Sequence, residues 1–408
     1  MTETDKLSSA TEIIETIPVG ELNLVAMKGT ENIASQINEY LVRWRTERES
    51  EHKENILFNN YEKDSYILDA RCPRFGSGEA KGEINQSVRG HDLFILTDIT
   101  NYSVTYKMCG MINHYSPDDH FQDLKRIIAA AAGKAKRITV IVPFLYEGRQ
   151  HKRSGRESLD CALMLQELVN MGVNNIITFD AHDPRVQNAI PLNGFDTVSP
   201  TYQYIKALLK TYNDLDLDSH HMVVISPDEG GTSRAVYFAN MLKLQIGMFY
   251  KRRDYTRVVD GKNPILSHVF MGASVKGKDV VIVDDMISSG DSMLDVASKL
   301  KAKGAKRVFC CATFGLFTNG LERFDKAQEA GIIDKVFTTN LVYQTPELLS
   351  RSWYKSVEMS KYVALLVDRL NHDVSISSLL DPADRINRRV SAYKQKREAD
   401  LLAEKQNA

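Results

Sequence analysis

The stretch VVIVDDMISSGDSM, residues 280–293, places four apolar β-formers, two adjacent carboxylates and a small-residue loop directly before a segment with helical spacing. Val280 to Val283 read as a strand that Asp284 and Asp285 end, and Met293, Val296, Ala297 and Leu300 give the i, i+3, i+4, i+7 face of a following helix. The loop Ser288, Ser289, Gly290, Asp291 and Ser292 therefore meets a helix N-terminus, where free backbone N–H groups and the helix dipole favour an anion. Small hydroxyl side chains add hydrogen bonds without blocking its approach. Ionised aspartates accept hydrogen bonds from hydroxyl groups, so two of them beside such a loop suit a ligand with a diol at one end and a phosphate at the other. A sugar phosphate fits that description.

Further strands are expected at LNLVAM (22–27), DLFILTDI (92–99), RITVIVPF (137–144), NNIITFDA (174–181), HMVVISPD (221–228), DVVIVDD (279–285) and RVFCCATFG (307–315), alternating with helical patterns such as 158–171 and 292–303. Continuous apolar strands separated by helices imply α/β architecture, with mostly parallel sheets flanked by helices. At 408 residues the chain exceeds what one core usually serves. The reading is a polar leader over 1–20, an α/β domain over 21–198, a second over 199–381 and a charged helical tail over 382–408, with NGFDTVSP supplying turn residues near the boundary. Asp381 and Pro382 suit the start of the tail helix, and Ile386, Val390 and Tyr393 share one face of it. The charged run RTERESEHKENILFNNYEKDS, around 45–65, reads as a solvated surface excursion.

Composition restricts the function classes. A formal net charge of -1 offers no global attraction for nucleic acid or an anionic membrane, so any anion site must be local. No run of about 18 apolar residues occurs, and MTETDKLSSATEIIET lacks the apolar centre of a signal peptide. The five cysteines show no C-x-x-C spacing and read as reduced core residues of a cytoplasmic protein.

Ligands of open α/β sheets bind beyond the carboxyl ends of the strands, which directs attention to three further places. In SPDEGGTSRA (226–235), Gly230 and Gly231 permit close backbone approach and Asp228 can face a metal ion or hydroxyls. In FDAHDP, His182 follows a strand. Arg149, Lys152, Arg153, Arg156, Lys251, Arg252 and Arg253 gather in EGRQHKRSGRES and FYKRRDYTR as cations after strands, an arrangement suited to polyphosphate. Gly272 to Lys278 spells G-x-x-x-x-G-K but lacks the following Ser or Thr and precedes a strand, so it reads as a turn. GSGEAKG (76–82) fails the dinucleotide spacing.

Taken in order, RFGSGEAKGEINQSVRG, VPFLYEGRQ, FDAHD, SPDEGG, YKRR, VVIVDDMISSGDSM, ATFGLFTNG and SISSLL resemble the ribose-phosphate pyrophosphokinase family over about residues 22–381. The resemblance implies two tandem phosphoribosyltransferase-like domains, a dimeric or hexameric homo-oligomer, and Mg2+-dependent transfer of the β,γ-diphosphoryl group of ATP to O1 of ribose 5-phosphate. It assigns the ribose hydroxyls to Asp284 and Asp285 and the 5-phosphate to Ser288, Ser289, Gly290, Asp291 and Ser292. Arg149 and Gln150 would bind ATP, with Phe75 and Glu79 reaching the adenine of a neighbouring subunit's nucleotide. His182 and Asp228 would hold Mg2+, and Lys251 with Arg253 would neutralise the transferring group, His182 standing with them at the reacting centre. The sequence departs from the family at Ser288, usually Asp, and at Asp291, usually Gly. It departs again at His151, usually Asp, at Ser77, usually Asp or Asn, at Phe314, usually His, and in the spacing to Arg156, one residue short. Those departures motivate one alternative: a non-catalytic paralogue that assembles with an active synthetase and regulates it.

Overall fold

The computed structural model describes residues 16–48, 58, 60–253 and 265–407, those at 251–253, 265–268, 401 and 403–407 by backbone alone. Its contacts divide the chain into two units. The first comprises Met1–Ser199, Asn340–Tyr343 and Glu358–Asp381, and the second Pro200–Thr339, Gln344–Val357 and Pro382–Ala408.

In the first unit, β1 (Leu22–Ala26), β4 (Asp92–Leu96), β7 (Arg137–Ile141), β8 (Asn175–Phe179) and β9 (Gly194–Val198) form a parallel sheet in that order. Two hairpins, β2 (Ala70–Arg71) with β3 (Glu83–Ile84) and β5 (Thr105–Met108) with β6 (Met111–His114), stand apart from it. Strand β9 lies within the stretch read from sequence as a turn. It is an edge strand whose polar residues are only half buried, so it carries no apolar run to announce it.

The helix Ser360–Asn371 also belongs to this unit, although the sequence division assigns it to the second domain. Its anchor is ionic. Asp368 receives Arg45 Nε at 3.2 Å and Arg48 Nη2 at 2.6 Å, with all three side chains buried. These arginines fall in the run read as a solvated excursion; they are instead desolvated and paired, and removing one partner of such a group costs about 3–5 kcal/mol. Residues 49–57 and 59 of that run, like the leader 1–15, lie outside the described residues.

In the second unit the sheet runs β12 (Ile265–Gly272), β11 (Gln245–Arg253), β10 (Met222–Ser226), β13 (Asp279–Ile287), β14 (Arg307–Gly315), β15 (Lys335–Thr339) and β16 (Tyr354–Val357). All pairings are parallel except that of the edge strand β12 with β11. Strand β13 is central, Val280 pairing with Val223 on one side and Val308 on the other. That position explains its composition: Val280, Val281, Ile282 and Val283 are all buried, each worth about 1.5–3 kcal/mol relative to exposure. The strand continues to Ile287, so Asp284 and Asp285 lie within it and do not end it. The G-x-x-x-x-G-K segment is a turn, as expected, with Gly277 at φ +74° between β12 and β13.

The tail forms the helix Ala383–Asn407. Ile386 is fully buried in the second unit's core, Val390 and Tyr393 pack against it, and the Tyr393 hydroxyl accepts the Leu215 N–H at 2.8 Å. Cysteines 161, 310 and 311 are buried, but Cys109 is exposed at the β5–β6 turn, contrary to the core reading; its φ of +50° fits a tight turn. Among the described residues no helix is long and apolar enough to cross a membrane.

Candidate active site

The acid pair and the small-residue loop occupy the carboxyl end of β13. Asp285 is buried, its carboxylate 3.7 Å from Arg234 Nη2 on the helix Thr232–Leu242, and it accepts the Met286 N–H at 2.9 Å. Asp284 is half buried. Burial first, then the Asp285 and Asp228 carboxylates, push its pKa well above the ordinary carboxylate range. Asp228, just past the end of β10, and Asp284 both lie beside Gly231.

The SPDEGG turn is fastened in place there. Ser226 Oγ donates to the Asp228 carbonyl at 2.6 Å and the Gly231 N–H donates to Asp228 Oδ1 at 3.2 Å. A Cβ on Gly231 would lie 3.0 Å from Ser226 Oγ and 3.5 Å from Asp284 Oδ1, so glycine keeps the space above Asp284 open. Oxygen donors of this kind suit a hard divalent cation that shares its coordination with substrate phosphates. Asp228 fits such an ion, although among the described residues no group of three or more His, Cys, Asp or Glu forms a complete cage.

Gly290 takes φ +86° and starts the helix Asp291–Ala302, whose first-turn N–H groups open on the cradle formed by Ser288, Ser289, Gly290, Asp291 and Ser292. The left-handed φ lets the chain reverse from the end of β13 into the helix. A second segment braces the loop, with the Thr318 N–H donating to the Ser288 carbonyl at 3.0 Å. Asp291 is not left as a bare charge: its carboxylate pairs with Arg323 and accepts Ser289 Oγ–H at 3.1 Å. Phe314, where the resemblance expects His, is buried on β14 beside Met286.

In the first unit, the loop after β7 and the end of β8 meet. His151 lies with its ring centroid 5.4 Å from that of His182, and His151 Nε2 is 3.5 Å from Asp183. Asp180, at φ +43°, turns the chain out of β8 and delivers exposed His182. Asp183 is held at a pKa of about 2, chiefly by hydrogen bonding from Arg185. Gln150 closes the basic loop on itself, donating to the Ser158 carbonyl at 2.9 Å, while Arg149 points into solvent. The loop between β2 and β3 presents Phe75 and Glu79, both exposed, with the Phe75 N–H bonded to the Glu79 carbonyl at 2.7 Å. Ser77 fills its family position by donating to Glu79 Oε2 at 2.8 Å.

Lys251 and Arg253 belong to β11 by backbone and not to a loop after it, a correction to the sequence reading; their side chains lie outside the described residues. Arg234 and Arg323 escaped the sequence reading. Arg234 sits three residues after Gly231 in the motif already noticed, whereas nothing local marks Arg323, which reaches the loop only through the packing of the helix Glu322–Glu329.

Two units of this construction, each with a helix-flanked parallel sheet and its polar residues gathered at the strand ends, define a phosphoribosyltransferase-type architecture. Residues 22–172 match the family described as the N-terminal domain of ribose phosphate pyrophosphokinase, and residues 197–343 match the phosphoribosyl transferase domain. A ribose-phosphate pyrophosphokinase of Vibrio parahaemolyticus is 30% identical over 316 residues, spanning 77% of this chain and 91% of the relative. One from Aquifex aeolicus is 27% identical over 317 residues with the same coverage. A crystal structure of phosphoribosylpyrophosphate synthetase from Mycobacterium smegmatis shares the fold, with TM-score 0.68 and 23% identity over 86% of this chain and 99% of that one. The chain belongs to the ribose-phosphate pyrophosphokinase family.

Proposed function

We propose that the chain transfers the β,γ-diphosphoryl group of ATP to O1 of ribose 5-phosphate, giving phosphoribosyl pyrophosphate and AMP. The observation that carries the reading is the β13 site: an acid pair, Asp285 buried and Asp284 half buried, leading through a glycine at positive φ into a helix N-terminus. Asp284 and Asp285 accept hydrogen bonds from the ribose hydroxyls, and the loop from Ser288 to Ser292 takes the 5-phosphate. Arg149 and Gln150 hold ATP, and Phe75 with Glu79 serves the adenine across a subunit contact in a dimer or hexamer. Lys251 and Arg253 supply positive charge where it accumulates on the transferring group. Phosphoryl transfer depends chiefly on alignment and charge stabilisation, so these roles suffice without a covalent enzyme intermediate.

Asp228 in the second unit and His182 in the first are each a proposed ligand for Mg2+, which would neutralise phosphate charge when bound. The regulatory alternative loses its main motive, since the Asp291 charge is balanced by Arg323. Purified chain supplied with ATP, Mg2+ and inorganic phosphate is expected to release AMP only when ribose 5-phosphate is present. Absence of that AMP refutes the activity.

A further inference from the structure

Asp291 brings a carboxylate to the mouth of a loop read as a phosphate site, and its surroundings show how the charge is accommodated. Its carboxylate is paired with Arg323 on the helix Glu322–Glu329, and its second oxygen accepts the Ser289 hydroxyl at 3.1 Å. Both members of the ion pair are more than half exposed, 57% for Arg323 and 53% for Asp291. So exposed a pair adds little to folding, and stability alone gives no reason for it.

The helix bearing Arg323 is not loosely placed. Phe324, the next residue, is fully buried, packs on Gly290 and stacks on Trp353 with ring centroids 5.3 Å apart. The Trp353 indole donates to Asp325 at 2.7 Å, and Arg351 pairs with the same carboxylate at 3.0 Å. The Leu316 N–H donates to the Ile287 carbonyl at 2.9 Å, tying the approach to this helix to the end of β13. Arg323 therefore projects from a fixed platform that touches the loop at Ile287, Ser288, Gly290 and Asp291.

We propose that Arg323 is a positioning residue of the sugar-phosphate loop, holding and neutralising the Asp291 carboxylate so that the cradle accepts a phosphate dianion. This rests on reading the loop as the ribose 5-phosphate site. Without the guanidinium, a net negative charge stands within a few ångströms of the incoming phosphate, and repulsion between full charges at that range is not fully screened. With it, Asp291 adds a neutral pair, and the N–H groups of the helix start keep their attraction for the anion. The departure at Asp291 is thus compensated from a helix outside the motif.

The test is steady-state AMP release and calorimetric titration of ribose 5-phosphate, both on the full chain. Arg323→Ala is expected to raise the KM and the dissociation constant for ribose 5-phosphate about tenfold while leaving the KM for ATP within about twofold. Arg323→Lys is expected to recover most of the loss. Compared in a background of Asp291→Asn, the same Arg323→Ala change is expected to cost less than about twofold, because no carboxylate remains to be held. An Arg323→Ala chain with wild-type affinity overturns the proposal, as does an equal loss in the Asp291→Asn background, which would make Arg323 a direct phosphate ligand. A wild-type chain that neither binds nor converts ribose 5-phosphate refutes the reading of the loop itself. One that does both, beside an indistinguishable Arg323→Ala, refutes only the role of Arg323.

Discussion

Gly290→Ala tests whether the phosphate loop is held by its contact with the helix Glu322–Glu329. Two penalties add. The residue sits at φ +86°, where an L side chain costs about 1–2 kcal/mol. The new Cβ would also lie 2.4 Å from Phe324 Cε2 and 2.5 Å from Cζ, distances that require something to move. Phe324 cannot yield, being fully buried and boxed by Phe317 and Trp353 at ring-centroid distances of 5.1 and 5.3 Å. Overpacking of that kind costs about 1–3 kcal/mol, giving a total of about 2–5 kcal/mol. The chain has two tryptophans, Trp44 in the first unit and Trp353 in the second, so Trp353 fluorescence in a Trp44→Phe background follows urea unfolding of the second unit. The expected outcome is a lower midpoint at an unchanged slope, with a raised KM for ribose 5-phosphate. Adding Phe324→Leu should restore part of the stability, since it relieves the clash but not the backbone strain. A Gly290→Ala chain within about 0.5 kcal/mol of wild type and with an unchanged KM refutes the argument, because surface substitutions free of such constraints fall in that range.

Asp284→Asn should abolish ribose 5-phosphate binding while raising the urea midpoint of the second unit. The folded-state pKa of Asp284 lies above its unfolded value, so the carboxylate withdraws stability as pH rises above the ordinary range, and the gain from Asn should grow toward neutral pH. In the first unit, burial lowers the His372 pKa from 6.5 to about 4. The unfolded chain therefore takes up that proton first, and as pH falls from 7 toward 4 the histidine should cost up to about 3 kcal/mol of stability; His372→Gln should flatten that part of a pH series of urea melts. Lys251→Ala should lower kcat by about 10²–10³ with little change in substrate affinity, measured by AMP release. Ile386→Ala, deleting a fully buried contact of the tail helix, should cost about 2–5 kcal/mol in the Trp353 melt; a loss below 1 kcal/mol would place the tail outside the second unit's core.

What the sequence made legible follows the strength of its patterns. Central strands such as Val280–Val283 are buried on both faces and read as unbroken apolar runs, which is why the α/β class could be seen. Edge strands are half solvated, and GFDTV of β9 accordingly passed for a turn; the end of β11 passed for a loop because Lys251, Arg252 and Arg253 interrupt its apolar run. The site separated in the same way. Residues within one strand, loop and helix, such as Asp284 through Ser292, were visible as a unit because the chain itself sets their spacing. Arg234 and Arg323 act from other helices, and Arg45 and Arg48 are buried only because a helix more than 300 residues later brings Asp368 to them. Such pairings depend on tertiary packing, and no local spacing encodes them.

Asp291 shows how a site can tolerate a residue that its own motif argues against. Read in isolation, an acid at the start of an anion-binding helix has two opposed effects: it favours the helix through the dipole and it repels the ligand that the same dipole attracts. The first effect is worth about 0.3–1 kcal/mol and operates whether or not ligand is present, whereas the second operates only when a dianion arrives. A guanidinium beside the carboxylate separates the two, since it cancels most of the field at the cradle while leaving the acid in the first helical turn. The Ser289 hydroxyl, donating to the same carboxylate, fixes its direction within the loop. Substituting Asp291 by Gly should then improve ribose 5-phosphate affinity little in a chain that keeps Arg323, and markedly in one that lacks it. That difference between two backgrounds measures whether the loop and the helix Glu322–Glu329 function as one anion site.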